Sequence, residues 1–369
     1  MRKVFEILCI AGLFIALLSG CSNGNENDKK GQSPVTDRII INEVHVTEQP
    51  LSEIITDESD WFANRFNISQ PYFDGNNSMY YYCVFQGDSA KYYLYYDNGV
   101  NEPTNAGLPE MDYYTVGIVM DGTIYGVEHD LSDGYWADYI TRYKNGKSER
   151  LADDRIEGCY FSEDGIYYQC GNQIKLMDYN GNHSQLVVEI PDELYYESVP
   201  SKLIVYRGIL WYCYDDLFET YSYPLWCYDF DKTFTKFDKG GIDAVNNGYI
   251  YYQEKYPARE QLYRFNCETY TVELVNDAQY INDYAFLDNY IIYTAYDTTS
   301  NTANLYRMNW KENKKILSPE FLSRSEDVFQ VSCADNRIFV TGNSGIFYTC
   351  LAEIDINGNI IKMIHEDET

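Results

Sequence analysis

Chemistry in this chain has to be sought among carboxylates and aromatic rings. Only four histidines are present, His45, His129, His183 and His365. One stands in an acidic run, Glu128-His129-Asp130-Leu131-Ser132-Asp133-Gly134-Tyr135-Trp136-Ala137-Asp138. An imidazole among carboxylates is the one cluster here that would hold a metal or move a proton. It does not fit a calcium loop: with Gly134 at the sixth position, the first and third positions are His129 and Leu131. No HExxH, GxSxG, P-loop or Rossmann glycine pattern occurs. No catalytic residue, metal ligand or cofactor is therefore assigned.

Acidic and aromatic residues alternate in further stretches. Tyr214-Asp215-Asp216-Leu217-Phe218-Glu219-Thr220-Tyr221-Ser222-Tyr223 is one, and Asp192-Glu193-Leu194-Tyr195-Tyr196-Glu197 another. Rings stack on sugars or hold cations, and carboxylates bond hydroxyls or pair with Lys and Arg. The candidate ligand-binding residues are Asp133, Tyr135, Trp136, Tyr195, Tyr196, Asp215, Asp216 and Tyr221. The expected activity is binding of a protein, peptide or glycan. The competing reading is a hydrolase or lyase acting on a surface glycan or peptide, which needs a convergent acid–base pair.

Cysteines follow Cys21 at 83, 159, 170, 213, 227, 267, 333 and 350, with no CxxC and no zinc spacing. Mostly free thiols are expected. Cys213 and Cys227 flank one loop symmetrically and are the best candidates for a disulfide.

The elements that carry these residues repeat. A turn pair followed by apolar and aromatic residues recurs at Asn77–Tyr82, Asp121–Tyr125, Asp164–Tyr168, Arg207–Tyr212, Asn247–Tyr252, Asp288–Tyr293 and Asp335–Val340. A second strand follows each, often closed by Asn-Gly, as in Leu176-Met177-Asp178-Tyr179-Asn180-Gly181. Asn-Gly is the two-residue hairpin signal, because both residues accept positive φ. With one strand before and one after, each unit of about 43 residues has four short antiparallel strands. That is the size of one propeller blade, so the expected fold is all-β, a seven-bladed β-propeller of four-stranded antiparallel blades. The 39 tyrosines suit such sheets, since the ring packs while the hydroxyl reaches water. Asp229-Phe230-Asp231 and Asp355-Ile356-Asn357 read as strand ends and turns. Arg38-Ile39-Ile40-Ile41-Asn42-Glu43-Val44 reads as a further strand that either closes the ring or covers an edge.

If the strands of a blade are lettered A to D outward, B–C loops and D–A connections share one face. All the candidate residues fall in those segments, so they belong to one loop-bearing face.

The repeats over 77–358 resemble those of Tyr-rich bacterial lipoproteins that carry a propeller domain of unknown function. These are similar to the YWTD-like propellers of low-density-lipoprotein receptors. Ile250-Tyr251-Tyr252 with Leu262-Tyr263-Arg264, and Tyr293-Thr294 with Leu305-Tyr306-Arg307-Met308, are the best local matches. The full receptor tetrad is absent. The resemblance implies a fold and a general binding role, and carries no catalytic residue across.

Residues 1–20 read as a signal peptide, with basic Arg2 and Lys3, an apolar run from Val4 to Leu18, and small Ser19 and Gly20. Leu18-Ser19-Gly20-Cys21 resembles the bacterial lipoprotein lipobox, which implies a diacylglyceryl group, and fatty acid such as palmitate, on Cys21. Residues 21–37 are polar and expected to be a disordered tether; 38–369 are the propeller. The expected location is the outer face of the cytoplasmic membrane or the cell surface of a bacterium, with a monomer held by its lipid. The net charge of −29 excludes nucleic acid as a partner and argues against electrostatic attraction to anionic lipid.

Overall fold

The computed structural model describes the chain from Arg38 to Glu366, apart from residues 43–44, 48–71, 74–77, 87–88, 98–103, 106–113, 121–122, 131–136, 145–146, 153–154, 197–200, 215–223, 232, 239, 255–260, 277–280, 298–301, 310, 317–326, 335–336 and 345–346. The expected signal peptide, Cys21 and the tether lie outside the described residues.

Every described element is a strand. The chain opens with β1 (Arg38–Asn42) and β2 (His45–Thr47). The first sheet holds β3 (Tyr72–Phe73), β4 (Ser78–Gln86), β5 (Ser89–Asp97) and β6 (Thr104–Asn105). The second holds β7 (Tyr114–Met120), β8 (Thr123–Asp130), β9 (Ala137–Lys144) and β10 (Lys147–Arg150). The third holds β11 (Gly158–Ser162), β12 (Gly165–Cys170), β13 (Gln173–Met177) and β14 (Gln185–Glu189). The fourth is β15 (Ser201–Tyr206), β16 (Ile209–Tyr214), β17 (Leu225–Tyr228) and β18 (Thr233–Phe237). The fifth is β19 (Ala244–Asn246), β20 (Tyr249–Glu254), β21 (Gln261–Asn266) and β22 (Thr271–Asn276). The sixth is β23 (Ile281–Leu287), β24 (Tyr290–Asp297), β25 (Thr302–Met308) and β26 (Asn313–Lys315). The seventh is β27 (Asp327–Ala334), β28 (Arg337–Ser344), β29 (Phe347–Ile354) and β30 (Ile360–Glu366).

Within each sheet the four strands meander in chain order and pair antiparallel. First strands of successive sheets face one another, β7 beside β11, β11 beside β15 and β23 beside β27, which makes them the axial strands of a propeller.

The expectation of a seven-bladed propeller of four-stranded antiparallel blades is corrected in two ways: the propeller has six blades, not seven, and two of them gain a parallel fifth strand. Six sheets, β7 to β30, are full blades. The first sheet is instead a long hairpin, β4–β5, flanked on each side by a strand of two residues. It lies with β4 near β29 and β3 near β7. Pro71 precedes β3 and Pro103 precedes β6 in the sequence, and a proline has no N–H to extend a ladder. Second, two of the six full blades are five-stranded. β1 pairs in parallel with β18, Arg38 opposite Thr233 through Asn42 opposite Phe237. β2 pairs in parallel with β22, His45 opposite Thr271. The N-terminal segment thus covers two neighbouring outer edges.

Turn chemistry explains the hairpins. Arg207-Gly208 and Asn247-Gly248 both have positive φ at both residues, the two-residue turn that matches strand twist. The Asn-Gly pairs nearer the rim behave differently. In Asn180-Gly181 and Asn357-Gly358 the glycine takes positive φ and the asparagine does not, and both loops are closed by carboxylates. Asp178 Oδ1 accepts from the backbone N–H of Asn180 and Asn182, and Asp355 Oδ1 from those of Asn357 and Asn359. Asp229 Oδ1 does the same for Asp231 and Thr233, so these acidic pairs are turns.

The core fills the spaces between blades. Ile174, Leu203, Trp211, Trp226, Phe234, Phe237 and Phe265 form a buried cluster across the third, fourth and fifth sheets. Ile292, Leu305, Val340 and Cys350 join the sixth to the seventh.

Cys213 and Cys227 are buried thiols rather than a disulfide. Cys227 stands opposite Trp211 and Tyr212 opposite Trp226, so the register is offset by two residues from the one that would set the sulfurs face to face.

Candidate functional site

Two sets of side chains meet where the axial strands begin. This is the end of the molecule at which the loop-bearing segments emerge.

The first set is an aromatic column at the join of the third and fourth sheets. Tyr195 and Tyr196 lie in the connection from β14 to β15, pinned by the buried Leu194 and by the bond from Leu194 N–H to Pro191 C=O (2.8 Å). The Tyr196 N–H donates to the Tyr214 hydroxyl at 2.8 Å. Their rings meet edge to face at 5.0 Å, and Tyr214 meets Tyr212 in the same way at 5.0 Å. Tyr212 stacks on Trp226 at 4.3 Å. Its hydroxyl donates to Gln169 Oε1, while Gln169 Nε2 donates to the Gly171 carbonyl. The column therefore runs from Tyr196, 38% exposed, to the fully buried Trp226. Such contacts add to burial and leave the outermost ring few ways to move. Burial pushes the Tyr214 hydroxyl up to about 12, and the Tyr212 hydroxyl higher still. Both stay protonated in neutral solution and act only as neutral hydrogen-bonding groups.

The second set stitches neighbouring axial strands together. Ser201 N–H donates to the Glu157 carbonyl at 3.0 Å, joining the third sheet to the fourth. Lys202 Nζ donates to Asp243 Oδ1 at 2.8 Å, joining the fourth to the fifth. Asp243 Oδ2 accepts from Gln253 N–H, and Gln253 Nε2 donates to the Ile281 carbonyl, joining the fifth to the sixth. Val331 N–H donates to Asp283 Oδ2 at 3.0 Å, joining the sixth to the seventh. The Glu157 carboxylate accepts from Gly171 N–H, and burial raises its pKa above the ordinary value.

Of the residues expected to bind ligand, Tyr195 and Tyr196 are described, and they stand at this end. Asp133, Tyr135, Trp136, Asp215, Asp216 and Tyr221 lie outside the described residues. The flanking strands place the ends of their segments: β8 ends at Asp130 and β16 at Tyr214. Tyr214 is the last residue of β16 rather than part of the loop, and it is buried. Among the described residues no group of three metal-ligating side chains is found.

Sequence reading passed over Lys202, Asp243, Asp283 and Gln169. A weak signal for two stitches exists, because Ile156-Glu157-Gly158 and Ile242-Asp243-Ala244 are the same pattern, apolar-acid-small, one residue before a first strand. Gln169 leaves no such trace, since only packing sets it against Tyr212.

The fold and this axial end define a β-propeller. No family model matches the chain, and no curated protein is detectably similar to it. Solved structures are. The propeller domain of the Trilobed protease from Pyrococcus furiosus, reported to have an open velcro topology, superposes with a TM-score of 0.54 at 14% identity. It is matched over 82% of this chain and 98% of its own. A puromycin-hydrolysing peptidase from Mycobacterium tuberculosis gives 0.56 at 12% identity, over 87% of this chain and 57% of its own. An acylaminoacyl peptidase from Pyrococcus horikoshii gives 0.50 at 12%, over 81% and 52%. The chain thus spans nearly all of an isolated propeller domain and little more than half of each peptidase. At these identities the likeness is one of fold.

Proposed function

We propose that this chain is a non-enzymatic binding module that takes a peptide or glycan at its loop-bearing axial end. It is held outside a bacterial membrane by lipid on Cys21. The observation that carries the reading is Tyr196. Its ring is exposed, its backbone is fixed by the Tyr214 hydroxyl, and it caps a column rooted in buried Trp226. An anchored, partly exposed ring gives large contact area at little entropic cost on binding. The acidic residues of the neighbouring segments favour ligands with hydroxyls or positive charge. A hydrolytic role draws only on likeness of fold to the peptidases. The aromatic column offers neutral hydroxyls, which suits recognition better than proton transfer.

The test is a double variant, Tyr195→Ala with Tyr196→Ala, compared with the native protein on glycan and basic-peptide arrays. Loss of capture by about tenfold or more is expected from a variant that keeps its cooperative unfolding transition. Equal capture by variant and native protein would sink the proposal. Turnover of an arrayed peptide or glycan would replace it with the enzymatic reading.

A further inference from the structure

The rim carries a second recognition surface of a different kind. Six full blades have six outer strands, and the structure treats them unequally. β18 and β22 are covered by the chain's own N-terminal strands, added in parallel. β10 is Lys147-Ser148-Glu149-Arg150 and β26 is Asn313-Lys314-Lys315, every residue exposed. Charges on an outer strand guard it against further pairing. β14 is short, five residues; its register against β13 shifts once, while that of β30 against β29 shifts twice. β30 is the longest of the six at seven residues, Ile360-Ile361-Lys362-Met363-Ile364-His365-Glu366. Ile361 is 61% exposed, and Lys362 stands opposite Glu353 on the neighbouring strand. Among the described residues no strand pairs with the outer side of β30.

We propose that the outer edge of β30 is a docking site for an extended peptide strand of another protein, added in parallel as β1 is added to β18. Backbone N–H and C=O groups along β30 supply the ladder, and Ile361 supplies an apolar contact. The chain's own example shows which sequence suits such an edge: Arg38-Ile39-Ile40-Ile41-Asn42 is a basic residue followed by β-branched residues. Charge selects the same partner. The protein carries a net charge of −29, and the sequence after β30 continues Asp367-Glu368. A β-branched strand with Lys or Arg is therefore drawn to this edge, and an acidic strand is repelled.

The probe is a synthetic peptide with the sequence of residues 38–47, added to the full chain, with amide hydrogen exchange read by segment. Slower exchange across 360–366 is expected, and about tenfold weaker peptide binding in Ile361→Lys, where the new charge sits on the exposed edge. The Tyr195→Ala, Tyr196→Ala variant should bind the peptide as the native protein does, which separates this site from the axial one. Protection confined to 233–237, where the peptide would replace β1, or to 185–189, would overturn the proposal. Unchanged binding by Ile361→Lys would also overturn it.

Discussion

At the scale of single residues, the polar groups that matter most are those whose partners lie on another sheet. Glu157 is the clearest. Burial is the largest influence on its carboxyl and raises the pKa, against smaller lowering effects from the Gly171 N–H and Arg155. A carboxyl whose folded-state pKa is raised binds its proton more tightly folded than unfolded. Its contribution to stability is complete below the unfolded value and is lost as pH rises through the folded one. Urea midpoints of the native chain should therefore fall relative to Glu157→Gln as pH rises from the acid side of the carboxylate range to neutrality. A constant difference across that range would show that burial does not perturb Glu157. Tyr195 and Tyr196 stand out in the sequence as paired aromatics beside carboxylates. Tyr214 and Gln169 do not, since their roles come from one hydroxyl reaching across a sheet boundary.

At the scale of elements, periodicity reads strands well and edges poorly. Among the described residues, the turn pairs Arg207-Gly208 and Asn247-Gly248 are where the sequence puts them, with the φ values such pairs permit. The rim loops looked alike in sequence yet close through an Asp side chain. A backbone accepting strain at glycine alone needs that extra acceptor. The destination of β1 was open, because a strand's own residues do not name its neighbour. The structure shows β1 and β2 as a belt over the fourth and fifth sheets. Ile40→Pro should break it, since proline removes an N–H from a ladder where Ile40 faces Thr235. Amide exchange should then quicken in 233–237 while 281–287 keeps its protection. Unchanged exchange in 233–237 would mean that the belt shields nothing.

At the scale of the whole molecule, blades must approach closely at the axis. Gly158 opens β11, and a methyl there would run into the Ser201 carbonyl of β15. That carbonyl belongs to the backbone of the adjoining blade and has little room to yield. Gly158→Ala should destabilise the protein by about 1–3 kcal/mol, the usual cost of overpacking, read from urea denaturation. A loss under about 0.5 kcal/mol would mean that the blades part easily. The same closeness explains the inter-sheet stitches. Backbone groups on the inner side of an axial strand have no partner in their own ladder, so Asp283 takes up Val331 N–H and the Glu157 carbonyl takes up Ser201 N–H from the next sheet.

The sequence by itself determined that this is an all-β repeat protein of propeller type and that its blades meander in four strands. Each follows from local rules: alternation, turn residues and the length of one unit. Only the tertiary structure decided that six blades are full while 72–105 form a hairpin with short flanks, that residues 38–47 cover two outer edges, and that Cys213 and Cys227 stay thiols. It also decided that Tyr196 rests on Tyr214, Tyr212 and Trp226. Those outcomes depend on which strand lies beside which, at what register and how closely. Contacts between residues far apart in the chain leave no period in the sequence from which to read them.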